Sequence, residues 1–279
     1  MKNIKIYLLS LIIVGGLFIS GAKIESSNEK KIDFYSPAKG IYVVDVNTKT
    51  CKNCITPYVS DSLETVERVA EKTNSVAAIN AGFFDPKNAK TTSYVIKNSK
   101  LEADPTLNHA LMNNPGLKSY LPYILNRSEF RILDCMQGKT YEIARHNDTP
   151  LSKCSITDSI QAGPALIPDF KLYDEAFVVK QGDKVIKESA GALGKYARSA
   201  IGIKGDHILL VAVSNEAPMT LQELADYMTS LNVDQALAFD GGSSTSLYVK
   251  MPDKQKFVLT SAKDNSARRV KSILMVNLK

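Results

Sequence analysis

The chain has 279 residues, 44% of them hydrophobic and 23% charged, with a formal net charge of +6. These are the proportions of a globular protein with one large domain or two small ones, and they exclude a disordered or collagen-like chain. There is no internal repeat, no low-complexity tract and no dense Lys/Arg stripe interleaved with aromatics, so solenoid and nucleic-acid-binding classes fall away.

At the N-terminus, Lys2 and Lys5 precede the apolar run IYLLSLIIVGGLFI, and Ser20 and Ala22 can fill the small positions of an export cleavage site. The run is shorter than the ~20 residues of a comfortable membrane span. Residues 1–22 are therefore expected to be a signal peptide, with an uncleaved N-terminal anchor, the sole route to a membrane, as the alternative. Without them the chain loses two lysines and no acidic residue. It stays mildly basic, which suits an anionic surface or a phosphate-bearing substrate.

Residues 23–39 read as a linker and first strand. GIYVVDVN (Gly40–Asn47) is a β-branched strand. Asp61, with Glu64 three residues on and Leu63, Val66 and Ala70 at helical spacing, predicts a helix start. SVAAIN (Ser75–Asn80) reads as a short buried strand. Over residues 98–155, Pro105, Pro115 and Pro122 break the pattern, which predicts a loop-rich insertion. ARSAIGI and HILLVAV predict adjacent strands joined by a KGDH turn, and Thr220 with Glu223 forms a capping box before LQELADYMTSLN. DQALAF, SLYVK, KFVLT and RRVKSILMV read as further strands. The expected architecture is α+β or mixed α/β: a single large mixed β-sheet domain over residues 40–279 with helices packed on it.

Four cysteines in an exported chain suggest two disulfides. A redox dithiol would place Cys51 at a helix start to depress its pKa, yet the Thr-rich flanks and the ITP that follows Cys54 predict none. A structural Cys51–Cys54 pair leaves Cys135–Cys154 as its natural companion, although four cysteines allow three connectivities. His109, His146 and His207 do not stand at metal-ligand spacing, so neither a metal site nor a cofactor is expected, and a Ser-His-Asp triad falls back with them.

Three buried strands end in polar clusters, at Asn80, at Ser214-Asn215-Glu216 and at Asp240, and ligands gather where such ends converge. In AFDGGSSTSLYV, Gly241 and Gly242 allow close backbone approach, and Ser243, Ser244, Thr245 and Ser246 supply hydroxyls for sugar or phosphate oxygens. Asp240 can act as base, nucleophile or electrostatic stabiliser. In NAGFFDP, Asn80 carries an amide, Gly82 permits close approach, and Phe83 with Phe84 can wall a pocket or stack on a sugar. Gly163 in QAGPALI makes a third glycine turn. Arg198, opening ARSAIG, is either a solvated strand end or a phosphate clamp.

In this order and spacing, NAGFFD, QAGPALI, RSAIGI, MTLQELADYM and FDGGSSTSL resemble the phosphodiester glycosidase family, across residues 40–279. The resemblance implies cleavage of a sugar-1-phosphodiester, of the N-acetylglucosamine-1-phosphodiester type, to free sugar and a phosphomonoester. Bacterial members of the family are exported and exopolysaccharide-associated. An extracellular, periplasmic or envelope protein acting on a sugar-phosphodiester or phosphoglycan is therefore expected. By the family pattern Asn80, Gly82 and Phe83 match an Asn-Gly-Gly-Phe-Phe run, Arg198 an Arg-Thr-Ala-hydrophobic-Gly run, and Asp240 to Ser244 an Asp-Gly-Gly-Gly-Ser run. Ala81 and Ser243 replace glycines, Ser199 replaces Thr, and SNEAP stands where the family has Asp-Gly-Arg. On this reading Asp240 steadies the reacting carbon or activates water, Glu216 is a second carboxylate, Arg198 holds the phosphate, and Asn80 and the hydroxyls orient oxygens. Two other classes are a non-catalytic envelope module that binds glycan or phosphoglycan, and a thiol–disulfide protein built on CKNC.

Overall fold

The computed structural model describes residues 30–252, 254–262 and 266–278. The expected signal peptide over residues 1–22 lies outside the described residues. The chain builds three principal sheets rather than one. A six-stranded sheet runs in the order Ile32–Ala38, Ile41–Asn47, His207–Val213, Arg198–Lys204, Gln235–Ala238, Ala165–Ile167. A second sheet has the order Phe257–Thr260, Ser246–Val249, Ala77–Asn80, Val270–Val276, Ile55–Glu64. The third has the order Gly138–Arg145, Ser128–Cys135, Cys154–Gln161, Val95–Lys97, Lys100–Ala103.

Every strand pairing in the three sheets is antiparallel, which corrects the expectation of a single mixed sheet. The cause lies in how the central strands are covered. After His207, ILLVAV is apolar throughout, a pattern that parallel strands buried on both faces usually show. Here it belongs to an antiparallel strand with both faces covered. Val44, Ile201, Ile208 and Leu210 face a core shared with the other two sheets. Val43, Ala200, Leu209 and Val211 face the opposite way, onto Leu221, Leu224, Ala225 and Met228 of the helix Leu221–Ser230. That helix starts as expected: the Thr220 hydroxyl accepts from Glu223 N at 3.1 Å, and the Glu223 carboxylate accepts from Thr220 N at 2.9 Å.

Two expectations are displaced. Asp61 lies inside the strand Ile55–Glu64, and the helix is Val66–Lys72, capped by Thr65, whose side chain accepts from Arg68 N at 3.2 Å. A register shift in the pairing with Val270–Val276 absorbs the polar residues before Glu64 and keeps this stretch extended. Residues 98–155 contain most of the third sheet, with short helices and turns over 104–127 and a turn over 146–153. The strand Ser128–Cys135 buries both faces, an apolar one with Phe130 and Ile132 and a charged one with Glu129 and Arg131, which hides it from hydrophobic patterning. Arg131 Nε meets Glu129 at 2.7 Å and Nη1 meets Glu142 at 3.1 Å, all three buried.

The cysteines pair as Cys51–Cys54 and Cys135–Cys154, and the second pair sits directly across two neighbouring strands. No helix begins at Cys51, and Cys51 and Cys54 are both buried, the setting of a structural pair. Among the described residues no helix is long and apolar enough to cross a membrane.

Candidate functional site

Antiparallel pairing brings strand ends and strand starts to the same edge. On the six-stranded sheet, Val213 ends opposite Arg198, and Ala200 stands opposite Ala238, two residues before Asp240. On the second sheet, Asn80 ends its strand beside Ser246, which starts the next. The two edges are stitched together. Asp240 N donates to Ala81 O at 2.8 Å, and the Asn80 Nδ2 donates to Asp240 O at 2.6 Å. Gly163 N donates to Ala238 O at 2.9 Å, which brings the QAGPALI turn to the same place.

Asp240 sits partly buried at this junction. Burial pushes its carboxyl up to about 6, against the Ser244 hydroxyl, the positive charge of Arg268 and the Gly241 N–H, all of which favour the carboxylate. A carboxyl so placed is ionised at neutral pH but close enough to its midpoint to exchange a proton, as acid–base catalysis requires.

The glycines serve packing as much as access. Gly242 has φ of +61° and open space around its α-carbon, and its N–H bonds Ala197 O at 2.7 Å, so the turn needs its left-handed backbone. Gly241 lies against the same Ala197 carbonyl, where an added Cβ would come within 3.1 Å. Gly163 has φ of +113°, and a Cβ there would collide with the Glu175 carboxylate. Gly82 is buried, with Gln161 O 2.9 Å from where its Cβ would stand. Gly82 and Gly163 are thus crossing points of the chain rather than open contacts for a ligand.

Of the hydroxyls, Ser243 is exposed and Ser244 serves Asp240, while Thr245 and Ser246 are buried with Oγ atoms that have no partner. Phe83 joins the two principal cores, 5.6 Å from the Phe177 ring with the Arg127 guanidinium 5.6 Å from its own, and so packs the interior.

Three of the expected site residues have partners within the protein. Asn80 is fully buried and its amide is taken up by the protein: Nδ2 donates to Asp240 O at 2.6 Å, and Oδ1 accepts from Ser199 Oγ at 2.7 Å and from Ser246 N at 3.0 Å. It positions the Asp240 backbone. Arg198 is buried, and its guanidinium is taken up by the backbone. Nε donates to Met219 O at 2.8 Å, Nη2 to Gly191 O at 2.7 Å and Gly194 O at 2.6 Å, and Nη1 to Ala190 O at 3.4 Å. Burial brings its pKa down to about 10. The side chain fastens the 190–194 loop. Glu216 is exposed on the turn after Val213, where its carboxylate meets Lys39 at 3.3 Å and its N–H bonds Ser214 Oγ at 3.1 Å. The SNEAP departure is ordinary turn chemistry at this position.

Arg268 was missed by sequence reasoning. It stands just before the strand Val270–Val276, its guanidinium carbon 5.7 Å from the centre of the Phe84 ring, and its charge acts on Asp240. The available signal was its position: RRVKSILMV opens a strand at the edge where Asn80 closes one. Among the described residues no group of three His, Cys, Asp or Glu side chains could hold a metal ion.

Sheets that meet edge to edge around one carboxylate on a glycine turn define a β-rich class with a polar site at its strand ends. Within that class, the sequence profile of the phosphodiester glycosidase family matches residues 73–277. The chain belongs to the phosphodiester glycosidase family. A comparison with curated proteins finds no significant sequence match. Among solved structures, the zebrafish N-acetylglucosamine-1-phosphodiester alpha-N-acetylglucosaminidase catalytic domain, auto-inhibited by its pro-peptide, superposes with a TM-score of 0.61 at 14% identity, over 91% of this chain and 85% of that one. A hypothetical protein from Synechocystis gives 0.58 at 17% identity over 89% of this chain, which spans 61% of that protein's length. At such identities the likeness is one of fold.

Proposed function

We propose that this chain is an exported hydrolase that cleaves a sugar-1-phosphodiester at the anomeric carbon–oxygen bond. The observation that supports it best is Asp240: a carboxyl pushed up to about 6, on a turn held by both sheets, in a chain of this family. A phosphodiester oxygen leaves readily, so little protonation of the leaving group is needed, and a single well-placed carboxylate can do most of the work. The bond from C1 to the phosphate oxygen breaks, and its electron pair departs with the phosphomonoester. Water supplies the hydroxyl that ends on C1, and its proton passes to Asp240. The carboxylate steadies the positive charge that develops at C1 and receives the proton.

N-acetylglucosamine is the proposed sugar, named for the zebrafish neighbour, and envelope or extracellular polysaccharide the proposed source of the substrate. Two paired disulfides suit an oxidising compartment. The test is release of N-acetylglucosamine from its uridine-diphosphate or alkyl-phosphate ester. Wild type is expected to release sugar, and Asp240→Asn to fall by about 10²–10⁴-fold with an unchanged circular dichroism spectrum. No release from wild type with any sugar phosphodiester would favour a glycan-binding module, and equal release from both would remove Asp240 from the chemistry.

A further inference from the structure

We propose that Arg268 is the anion-binding residue of this site, holding the phosphoryl oxygens of the substrate beside Asp240. The inference rests on the glycosidase reading for its substrate, although the anion site itself does not. Arg198 is largely committed to the loop it fastens, because four of its five N–H groups already meet the carbonyls of Met219, Ala190, Gly191 and Gly194.

Arg268 is in the opposite condition. Its Nε is buried and has no hydrogen-bond partner. A buried guanidinium N–H without an acceptor is uncommon in folded proteins, and a bound oxyanion supplies the missing acceptor in a geometry that the guanidinium matches. The planar fork leans toward Phe84, 5.7 Å from the ring centre, which limits its orientations and suits bidentate contact with a tetrahedral oxyanion.

Buried Oγ atoms without partners also occur on Thr245, Ser246 and Ser261. Ser246 pairs with Thr260 at one end of a hairpin, Ser261 follows Thr260 directly, and Ser246 N donates to Asn80 Oδ1 at the same end. The Ser261 carbonyl accepts from Asn215 Nδ2 at 2.9 Å, which ties the six-stranded sheet to the same corner. A cation with an unpaired donor, with a carboxylate within electrostatic reach, is what a phosphate ester of a sugar needs. The cation takes the phosphate and the carboxylate faces C1.

Binding of inorganic phosphate and of a phosphomonoester to the full chain is measured by titration calorimetry, for wild type, Arg268→Gln and Arg268→Lys. Wild type is expected to bind both. Arg268→Gln is expected to lose about 10- to 100-fold in affinity, with Arg268→Lys in between. With a sugar phosphodiester, Arg268→Gln raises KM and shifts the acid limb of activity to higher pH, because a charge that favours the Asp240 carboxylate has gone. A residue that only supported the fold would lower Tm and leave that limb in place. Wild type without phosphate affinity, or equal affinity in a folded Arg268→Gln, overturns the assignment. Phosphate binding that depends on Arg268 without sugar release upholds the anion site and defeats the hydrolase reading. Sugar release with KM and phosphate affinity untouched by Arg268→Gln does the reverse.

Discussion

Asn80 holds the backbone of Asp240 in place: its side-chain amide donates to the Asp240 carbonyl at 2.6 Å from a position with no solvent exposure. The same side chain accepts from Ser199 on the six-stranded sheet and from Ser246 N on its own, so one amide links both sheets at the candidate base. Removing it leaves buried groups unpaired on three sides. Asn80→Ala is expected to lose about 2–4 kcal/mol of stability and to lower kcat with KM little changed. Denaturant unfolding and steady-state kinetics on the same preparation check both.

The raised carboxyl of Asp240 has a consequence for stability. Its ordinary value is 3.8 and its folded value about 6, so between these the folded chain binds more protons than the unfolded one. Its contribution is fully present below pH 4 and is lost as pH rises through 6. Asp240→Asn, which carries no charge to bury, is expected to gain on wild type over that window by on the order of 2–3 kcal/mol. Activity runs the other way, because the carboxylate is the working form, and is expected to rise through about pH 6. A stability difference that is flat between pH 4 and 7.5 would contradict the burial of this group.

Two glycines at the site separate backbone conformation from packing. Both have positive φ, but Gly242 faces open space whereas a Cβ at Gly163 meets Glu175 and Phe177. Gly242→Ala is expected to cost about 1–2 kcal/mol, the conformational penalty alone. Gly163→Ala adds a collision with the buried Glu175 carboxylate, whose Oε1 already accepts from Ser128 Oγ at 2.7 Å. It is expected to cost more than about 3 kcal/mol. Thermal melts of the two variants side by side give the comparison.

Much of the frame was legible because local chemistry and tertiary packing agree. Thr220 and Glu223 make the capping box, and HILLVAV and RSAIGI pair across the KGDH turn. Legibility failed where polar residues point inward. Glu129, Arg131 and Glu142 satisfy one another in the third sheet, so the strands that carry them bury a charged face opposite the apolar one of Phe130, Ile132 and Ile143. It failed again where the number of sheets depends on which layers cover a strand, a property of contacts far apart in the chain. At the site, the strand-end rule located Asp240 and Asn80 at one junction. It said nothing about which atoms remain available, since Arg198 and Arg268 both stand at strand starts and differ only in the carbonyls that happen to surround one of them.

That difference gives the last prediction. Arg198 Nη2 bonds the carbonyls of Gly191 and Gly194, and its Nε bonds Met219 O, itself facing Tyr196 across an isolated bridge. Arg198→Lys keeps the charge and loses the fork that reaches several carbonyls at once. It is expected to lower stability by about 2–3 kcal/mol and to increase proteolytic cleavage near residues 190–195. Phosphate affinity should stay within about threefold of wild type, since the guanidinium lost here was already engaged by the backbone. A folded Arg198→Lys whose phosphate affinity fell while Arg268→Gln kept its own would return the anion to Arg198 and require the 190–194 loop to open when substrate binds.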